Sequence, residues 1–171
     1  MAEPQMTVAL LPPATRFIVR GGEKAIAALG PAFGVALPRA ACRAETVGER
    51  SALWLGPDEW LLIAPEGEAA DLAAIMARAL KGEAASVVEI SDRQVAIAAI
   101  GQKAAEAINA FNPLDLDLTP FPVGRCTRTV FAKAEIVLWR TGADEFRIEV
   151  WRSFAPYVLG CLEEACREYA A

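Results

Sequence analysis

The sequence predicts an α+β fold made of two ferredoxin-like repeats, each with the element order β-α-β-β-α-β. Strand-like and helix-like segments follow one another in the same order in both halves of the 171-residue chain. In each half, a glycine turn joins the first strand to a helix. Each half also contains a hairpin whose returning strand begins with Asp-Glu-aromatic, at 58–60 and at 144–146. We therefore expect two copies of one structural unit.

The first repeat opens with a short run of β-forming residues at 15–19. The turn Gly21-Gly22 leads into a helix over 23–29, which we expect Gly30-Pro31 to end. Glycine turns of this kind could hold an anion on helix amides, but no phosphate-binding motif surrounds them. An ordinary strand-to-helix turn is the preferred interpretation.

The remainder of the first repeat predicts a hairpin, a helix and a final strand. The hairpin pairs residues 52–55 with 60–63, across a Gly-Pro-Asp-Glu turn. The helix that follows is expected to end at Gly82. Its apolar stripe consists of Leu72, Ile75, Met76 and Ala79. Residues 86–90 predict the closing strand.

The second repeat begins with an alternating strand over 94–100, and Gly101 then turns into a helix over 102–108. Its hairpin pairs residues 136–139 with 146–150. The last helix is expected to have Ser153 as N-cap and Pro156 in its first turn. Its predicted apolar stripe consists of Phe154, Tyr157, Val158, Cys161, Leu162 and Ala165.

Two segments fit neither repeat. Residues 1–14 are apolar but rich in proline, which predicts an extended N-terminal arm lying on the body or on another chain. Residues 112–122 form a proline-bounded connector in which Leu and Asp alternate, so one edge should be buried and Asp115 and Asp117 solvated. We expect residues 15–171 to form one compact domain of two repeats, 15–90 and 91–171.

Composition and charge exclude several classes of function. The formal net charge is −5 and the lysines and arginines are scattered, so no basic patch is expected to bind nucleic acid. No apolar run reaches the roughly 20 residues that span a bilayer, and no secretory signal pattern is visible, which predicts a cytoplasmic protein. Apolar residues make up 54% of the chain, and this surplus favours an interface with a partner.

The chain has no histidine, which excludes Ser-His-Asp and Cys-His catalysis. The cysteines stand at irregular positions and include no Cys-x-x-Cys pair, so we expect buried thiols and no zinc site. Asp115 and Asp117 could bind a hard cation, but they lack the further oxygen ligands of a known loop, and a solvated loop is favoured. Carboxylate or lysine catalysis stays open as an alternative that would need a pocket. From the residues alone we assign no catalytic residue and no metal ligand.

The best candidate for a binding site is the strand-to-helix turn Trp151-Arg152-Ser153-Phe154, which places two aromatic rings beside a guanidinium. Trp and Arg are enriched at binding hot spots, so Trp151, Arg152 and Phe154 predict a partner contact. A buried structural corner is the alternative. Trp54 is a further candidate for the interface, because tryptophans on strands are usually core or interface anchors.

Arg125 is the fifth interface candidate. Arg125 and Arg128 are three residues apart on a predicted strand, so they lie on opposite faces and only one is expected to face a partner. Cys126 lies between them and could be a nucleophile, but no general base accompanies it. A small cysteine-dependent enzyme is therefore the weakest hypothesis.

Three segments, residues 53–62 (LWLGPDEWLL), 90–93 (ISDR) and 121–165, together resemble the sarcosine oxidase gamma subunit family. The resemblance implies an accessory, non-catalytic subunit that packs against larger flavin-binding subunits of a heterotetramer. Those chains demethylate sarcosine oxidatively to glycine, form hydrogen peroxide and transfer the one-carbon unit to tetrahydrofolate. The resemblance also implies that FAD, FMN, NAD, tetrahydrofolate and zinc are bound by the other subunits, and that no cofactor is bound by this chain.

Residues 90–104 are also similar to a strand-turn-helix pattern of the glycine-cleavage aminomethyltransferases, whose N-terminal part the predicted fold resembles. The alternative function is accordingly a free-standing folate-binding or aminomethyltransferase-like protein. Two departures weigh against it. The chain is about half the usual length of those enzymes, and it lacks their Asn-rich, Gly-Gly, paired-Asp segment, with Asn109 and Asn112 its only asparagines.

Overall fold

The computed structural model describes residues 5–169. In chain order, its elements are β1 (Thr7–Leu10), β2 (Ala14–Gly21), α1 (Glu23–Phe33), β3 (Ala44–Val47), β4 (Arg50–Gly56), β5 (Glu59–Pro65), α2 (Ala69–Leu80), β6 (Ala85–Glu89), β7 (Gln94–Ile100), α3 (Ala104–Asn109), β8 (Cys126–Phe131), β9 (Ala134–Gly142), β10 (Glu145–Trp151) and α4 (Ala155–Glu168). They divide into two compact units. The contiguous unit is Pro13–Ser91, and the split unit joins the N-terminal segment up to Pro12 with the chain from Asp92 onward.

The contiguous unit contains an antiparallel sheet of order β3-β4-β5-β2-β6. Side chains from α1 and α2 join those of one sheet face in a single apolar core. Without the added edge strand β3, this is the ferredoxin-like arrangement that the β-α-β-β-α-β order predicts. Its largest buried ring is Trp60, whose indole N–H donates to the Pro38 carbonyl at 2.8 Å.

The split unit has the sheet order β1-β7-β10-β9-β8, again antiparallel, with α3 and α4 contributing to its core. Element by element it matches the contiguous unit: β7 corresponds to β2, β10 to β5, β9 to β4 and β8 to β3. The predicted pair of ferredoxin-like repeats is therefore confirmed. The second repeat differs in one respect, because no strand follows α4 within the described residues.

The strand that completes the split unit comes from the N-terminus. β1 occupies the edge position that β6 takes in the contiguous unit, and pairs with β7 in the register Thr7↔Ile100 to Leu10↔Ile97. The expectation that this segment fits neither repeat was therefore wrong for residues 7–10, whereas residues 1–4 lie outside the described part. That both units form one compact domain stays a prediction.

Gly101 accommodates the approach of the N-terminal segment. Its φ of +134° is a conformation that side chains rarely adopt. A Cβ at this position would lie 2.3 Å from the Gln5 carbonyl oxygen and 2.7 Å from the Met6 Cα. The Met6 side chain is buried in the core of the split unit, so the segment contributes packing as well as backbone hydrogen bonds. Gly101 thus serves a close backbone contact in addition to the predicted turn.

Helix α1 does not end at Gly30-Pro31, as the sequence predicted, but continues to Phe33 and ends at Gly34 with φ +88°. Gly30 is buried because the segment after the helix crosses it: a Cβ there would lie 3.5 Å from the Ala36 Cα and 3.6 Å from the Val35 oxygen. The glycine is thus needed for packing rather than for termination. Pro31 lies inside the helix.

The predictions for the two longer helices hold in part. In α2, Leu72 and Met76 are buried, but Ile75 is exposed. Ser153 is not the N-cap of α4; Phe154 is, and its side chain makes no capping hydrogen bond. Pro156 falls in the first turn, as expected.

In the connector at 112–122, three positions show the burial pattern that the Leu-Asp alternation predicted. Leu116 is buried, while Asp115 and Asp117 are exposed. The Asp117 amide donates to Asp115 Oδ1 at 3.0 Å, a local turn contact. At the end of the pattern Leu118 is exposed as well, so the buried edge is short.

Candidate functional site: an aromatic–arginine surface

Three of the aromatic side chains are exposed in the described residues, and all lie within seven positions of the sequence. Trp151 ends β10, Phe154 caps α4, and Tyr157 lies in the first turn of that helix. They are 44%, 44% and 41% exposed. Folding normally buries such rings, and clustered exposure is typical of an interaction surface.

Local structure explains why these rings point outward. In β10 the alternate residues Phe146, Ile148 and Val150 face the core, which places Trp151 on the other side at the strand end. In α4 the core-facing positions are Ala155, Val158, Leu162 and Ala165. The helical period then turns Phe154 and Tyr157 away from the core, one turn apart on the same side.

Arg93, in the turn just before β7, joins this cluster. Its guanidinium carbon lies 5.1 Å from the centroid of the Trp151 ring, a cation–π contact. The Arg152 amide donates to the Arg93 carbonyl at 2.9 Å, which ties the two backbone segments together. The aromatic–arginine surface is defined here as Arg93, Trp151, Arg152, Phe154 and Tyr157.

The Arg152 side chain is less firmly held. Its Nη2 lies 3.6 Å from Asp92 Oδ1, and both side chains are largely exposed. An exposed ion pair of this length contributes little to stability. Arg152 therefore remains able to change partners at small energetic cost.

The split unit contains four of the five predicted interface residues. Three of them, Trp151, Arg152 and Phe154, lie together. Arg125 lies beside Arg140, because the Arg140 amide donates to the Arg125 carbonyl. Arg140 is the register partner of Phe146, which lies about 17 Å along β10 from Trp151 at strand spacing. The Arg125 side chain is half-buried, with its guanidinium carbon 5.8 Å from the centre of the Phe121 ring.

Trp54 lies in the contiguous unit, opposite Trp60 in the β4–β5 hairpin. Its ring is partly buried and packs against the core of that unit, so it acts there as a core residue. Whether Trp54 and Arg125 also contact a partner stays a prediction. Sequence reasoning missed Arg93 as a site residue; the signal for it is the pairing of Gln94 with Trp151 across β7 and β10.

The other candidate groups, which are potential metal ligands, cysteine thiols and cavities, do not come together at one place within the described part of either unit. No group of three or more potential metal ligands occurs within residues 5–169. Cys126 is fully buried at the start of β8, out of reach of a substrate in solution. A groove of about 410 Å³ lies beside α1, near Gly30, Ala36 and Leu37, and a cavity of about 210 Å³ lies at the connector.

Cysteine accessibility can be tested directly. Alkylation of the folded chain is expected to leave Cys126 unmodified, because its thiol is buried, while the partly exposed Cys42 reacts. Burial, with Glu163 adding to it, raises the pKa of Cys166, so that thiol should react slowly. Mass spectrometry of each cysteine peptide measures the order. Modification of Cys126 at the rate of Cys42 would contradict the described burial.

The fold and the site together define the class. This is an α+β protein with two ferredoxin-like units whose most distinctive chemistry is an exposed aromatic and cationic surface. Within residues 5–169, no helix is long and apolar enough to cross a bilayer. Comparison with known proteins agrees with this class: the family model described as "Sarcosine oxidase, gamma subunit family" matches residues 20–168, and the chain belongs to that family.

Individual relatives give the same result. The sarcosine oxidase subunit gamma of Corynebacterium sp. (strain P-1) is 35% identical over 151 residues, covering 88% of this chain and 73% of that protein. Among solved structures, a chain of the heterotetrameric sarcosine oxidase from Corynebacterium sp. U-96, in complex with pyrrole 2-carboxylate, matches with a TM-score of 0.92 and 32% identity. That match covers 99% of this chain and 88% of that one.

A more distant likeness concerns the fold alone. The glycine cleavage system aminomethyltransferase T from Bartonella henselae matches with a TM-score of 0.70 and 17% identity. The match covers 92% of this chain but 45% of that protein. The predicted similarity to part of the aminomethyltransferase fold is therefore confirmed.

Proposed function

We propose that this chain is the accessory, non-catalytic gamma subunit of a heterotetrameric sarcosine oxidase in the cytoplasm. Larger flavin-binding subunits carry out the oxidative demethylation of sarcosine to glycine, form hydrogen peroxide and pass the one-carbon unit to tetrahydrofolate. FAD, FMN, NAD, tetrahydrofolate and zinc are bound by those subunits. The four cysteines, which are thiols, suit a reducing compartment.

Membership of the gamma subunit family is the observation that carries this proposal, and the aromatic–arginine surface supplies its physical basis. Trp151, Phe154 and Tyr157 expose large apolar rings to water in the isolated chain. Covering them with a partner removes that apolar area from water and so favours association. A subunit acting in this way holds its partners in place without performing chemistry itself.

Substituting Trp151 tests the proposal. With the larger subunits co-expressed, Trp151→Ala is expected to weaken association by roughly 30-fold or more, the size of an interface hot spot. Affinity measured by titration of the purified partners checks this. Val47→Ala is the matched control, because Val47 is an exposed apolar residue on an edge strand far along the sequence, and we expect a change below about 2-fold.

Two outcomes would contradict the proposal. One is a wild-type chain that fails to associate with the larger subunits. The other is turnover of sarcosine by the purified chain alone. Unchanged affinity in Trp151→Ala would instead move the interface away from this surface, and leave the subunit assignment in place.

A further inference from the structure

We infer that the aromatic–arginine surface receives a carboxylate side chain of a larger subunit, held by Arg93 within a ring of aromatic contacts. This inference rests on the proposed function, since it names the chemistry of the partner at the same surface. It commits to one occupant, an Asp or Glu side chain with apolar residues beside it.

The geometry of Arg93 is the first argument. Its guanidinium lies against the face of the Trp151 ring, with 5.1 Å between the guanidinium carbon and the ring centroid. A guanidinium over a ring face retains N–H donors at its edge, and two of them can pair with both oxygens of a carboxylate. Within residues 5–169, Arg93 makes no side-chain hydrogen bond and no ion pair, so its N–H groups have no protein partner there.

Charge is the second argument. Asp92, Arg93 and Arg152 together carry a net charge of +1, on a chain whose formal net charge is −5. Within the described residues Asp92 pairs with Arg152 and forms no ion pair with Arg93, so the cationic character centres on Arg93. A complementary partner surface is therefore anionic at this point.

The exposed rings of this surface are the third argument. Trp151, Phe154 and Tyr157 would exclude water from a carboxylate that reaches Arg93, and an ion pair is stronger where water is excluded. The guanidinium group is weakly hydrated, which lowers the cost of covering it. The rings supply apolar contact, and the arginine fixes the position and charge of what binds.

Charge reversal tests the inference in the assembled complex. Arg93→Glu is expected to weaken association with the larger subunits by at least about 100-fold, because it sets two carboxylates against each other. The milder Arg93→Gln should cost about 10- to 100-fold while leaving the surface shape intact. Arg78→Glu, an equal charge change at an exposed position of α2 in the contiguous unit, should change affinity by less than about 2-fold.

A second experiment identifies the occupant. In the complex containing Arg93→Lys, a carbodiimide should activate the partner carboxylate and couple it to the new amine as an amide, with loss of the urea by-product. Mass spectrometry then finds a cross-link between position 93 and an Asp or Glu of a larger subunit. The same treatment of the wild-type complex should give no cross-link at this position, because a guanidinium does not couple.

The outcomes separate this inference from the proposed function. If the wild-type chain does not bind the larger subunits, the proposed function fails. If it binds and Arg93→Glu binds equally well, the carboxylate inference is overturned and the proposed function stands. A cross-link from position 93 only to a second copy of this chain would also overturn it. Circular dichroism and thermal unfolding of each variant establish that a lost interaction is not a lost fold.

Discussion

Replacing Gly101 with alanine is expected to destabilise the protein by about 3–5 kcal/mol, the combined cost of a strained backbone and a displaced strand. The new Cβ would meet the Gln5 carbonyl oxygen at 2.3 Å. Both backbones are held in place, because the Gly101 amide donates to the Asp144 carbonyl and the Lys103 amide donates to that of Gln5. Relief requires the N-terminal segment to move away, which exposes Met6 and unpairs β1 from β7. Denaturant unfolding of the purified chain measures the change.

Gly160→Ala is the matched control for this substitution. Gly160 lies in α4, a Cβ added there would have no neighbouring atom within 4 Å, and alanine is the better helix former. We expect this variant to gain up to about 1 kcal/mol. Limited proteolysis adds an independent measurement, since the Gly101→Ala variant should be cleaved near the N-terminus. Wild-type stability together with a protected N-terminus would show that β1 does not depend on Gly101.

Replacing Arg140 with methionine is expected to cost about 3–5 kcal/mol, because a buried hydrogen-bond network loses its central donor group. The side chain is 3% exposed. Its guanidinium donates to the carbonyls of Leu116 (2.8 Å), Phe121 (2.9 Å) and Ala143 (2.6 Å). Arg140 thereby ties the connector to the turn between β9 and β10.

The pKa of Arg140 reflects the same burial. Burial lowers its pKa, while the carboxylates of Asp144 and Asp117 oppose the shift. Thermal unfolding of Arg140→Met measures its contribution, with Arg128→Met as control, because Arg128 is exposed on β8. Arg140→Lys should recover only part of the loss, since an ammonium group lacks the spread of donors with which the guanidinium reaches three carbonyls. Equal melting temperatures for the Arg140 and Arg128 variants would contradict this anchoring role.

The parts of the fold that could be predicted from sequence depend on neighbours along the chain. Alternation over 94–100 predicts β7 with its observed bounds. Both hairpins can be predicted because a turn of only a few residues joins their strands. The position of β1 could not be obtained in this way. Its pairing partner is more than 80 residues away, and a proline-rich apolar segment has no local feature that selects one sheet edge.

The same distinction applies to the candidate site. Trp151, Arg152 and Phe154 can be recognised together because they are close in sequence. Arg93 lies beside them because the β7–β10 register sets Gln94 opposite Trp151. A shift of that register by one residue would move Arg93 away from the Trp151 ring. Similarly, the Gly30-Pro31 pair predicts a helix end from the sequence. The reason for glycine at position 30, the crossing of the chain at Val35 and Ala36, is visible only in three dimensions.

The contribution of β1 to the split unit also determines when the protein can finish folding during translation. Strand β1 is translated before β7 and has to wait until β7, encoded some 85 codons later, has emerged. Meanwhile the intervening stretch, Pro13–Ser91, already contains every strand of its own sheet. An expression tag placed ahead of β1 would therefore stay attached to an unpaired strand while the contiguous unit folds.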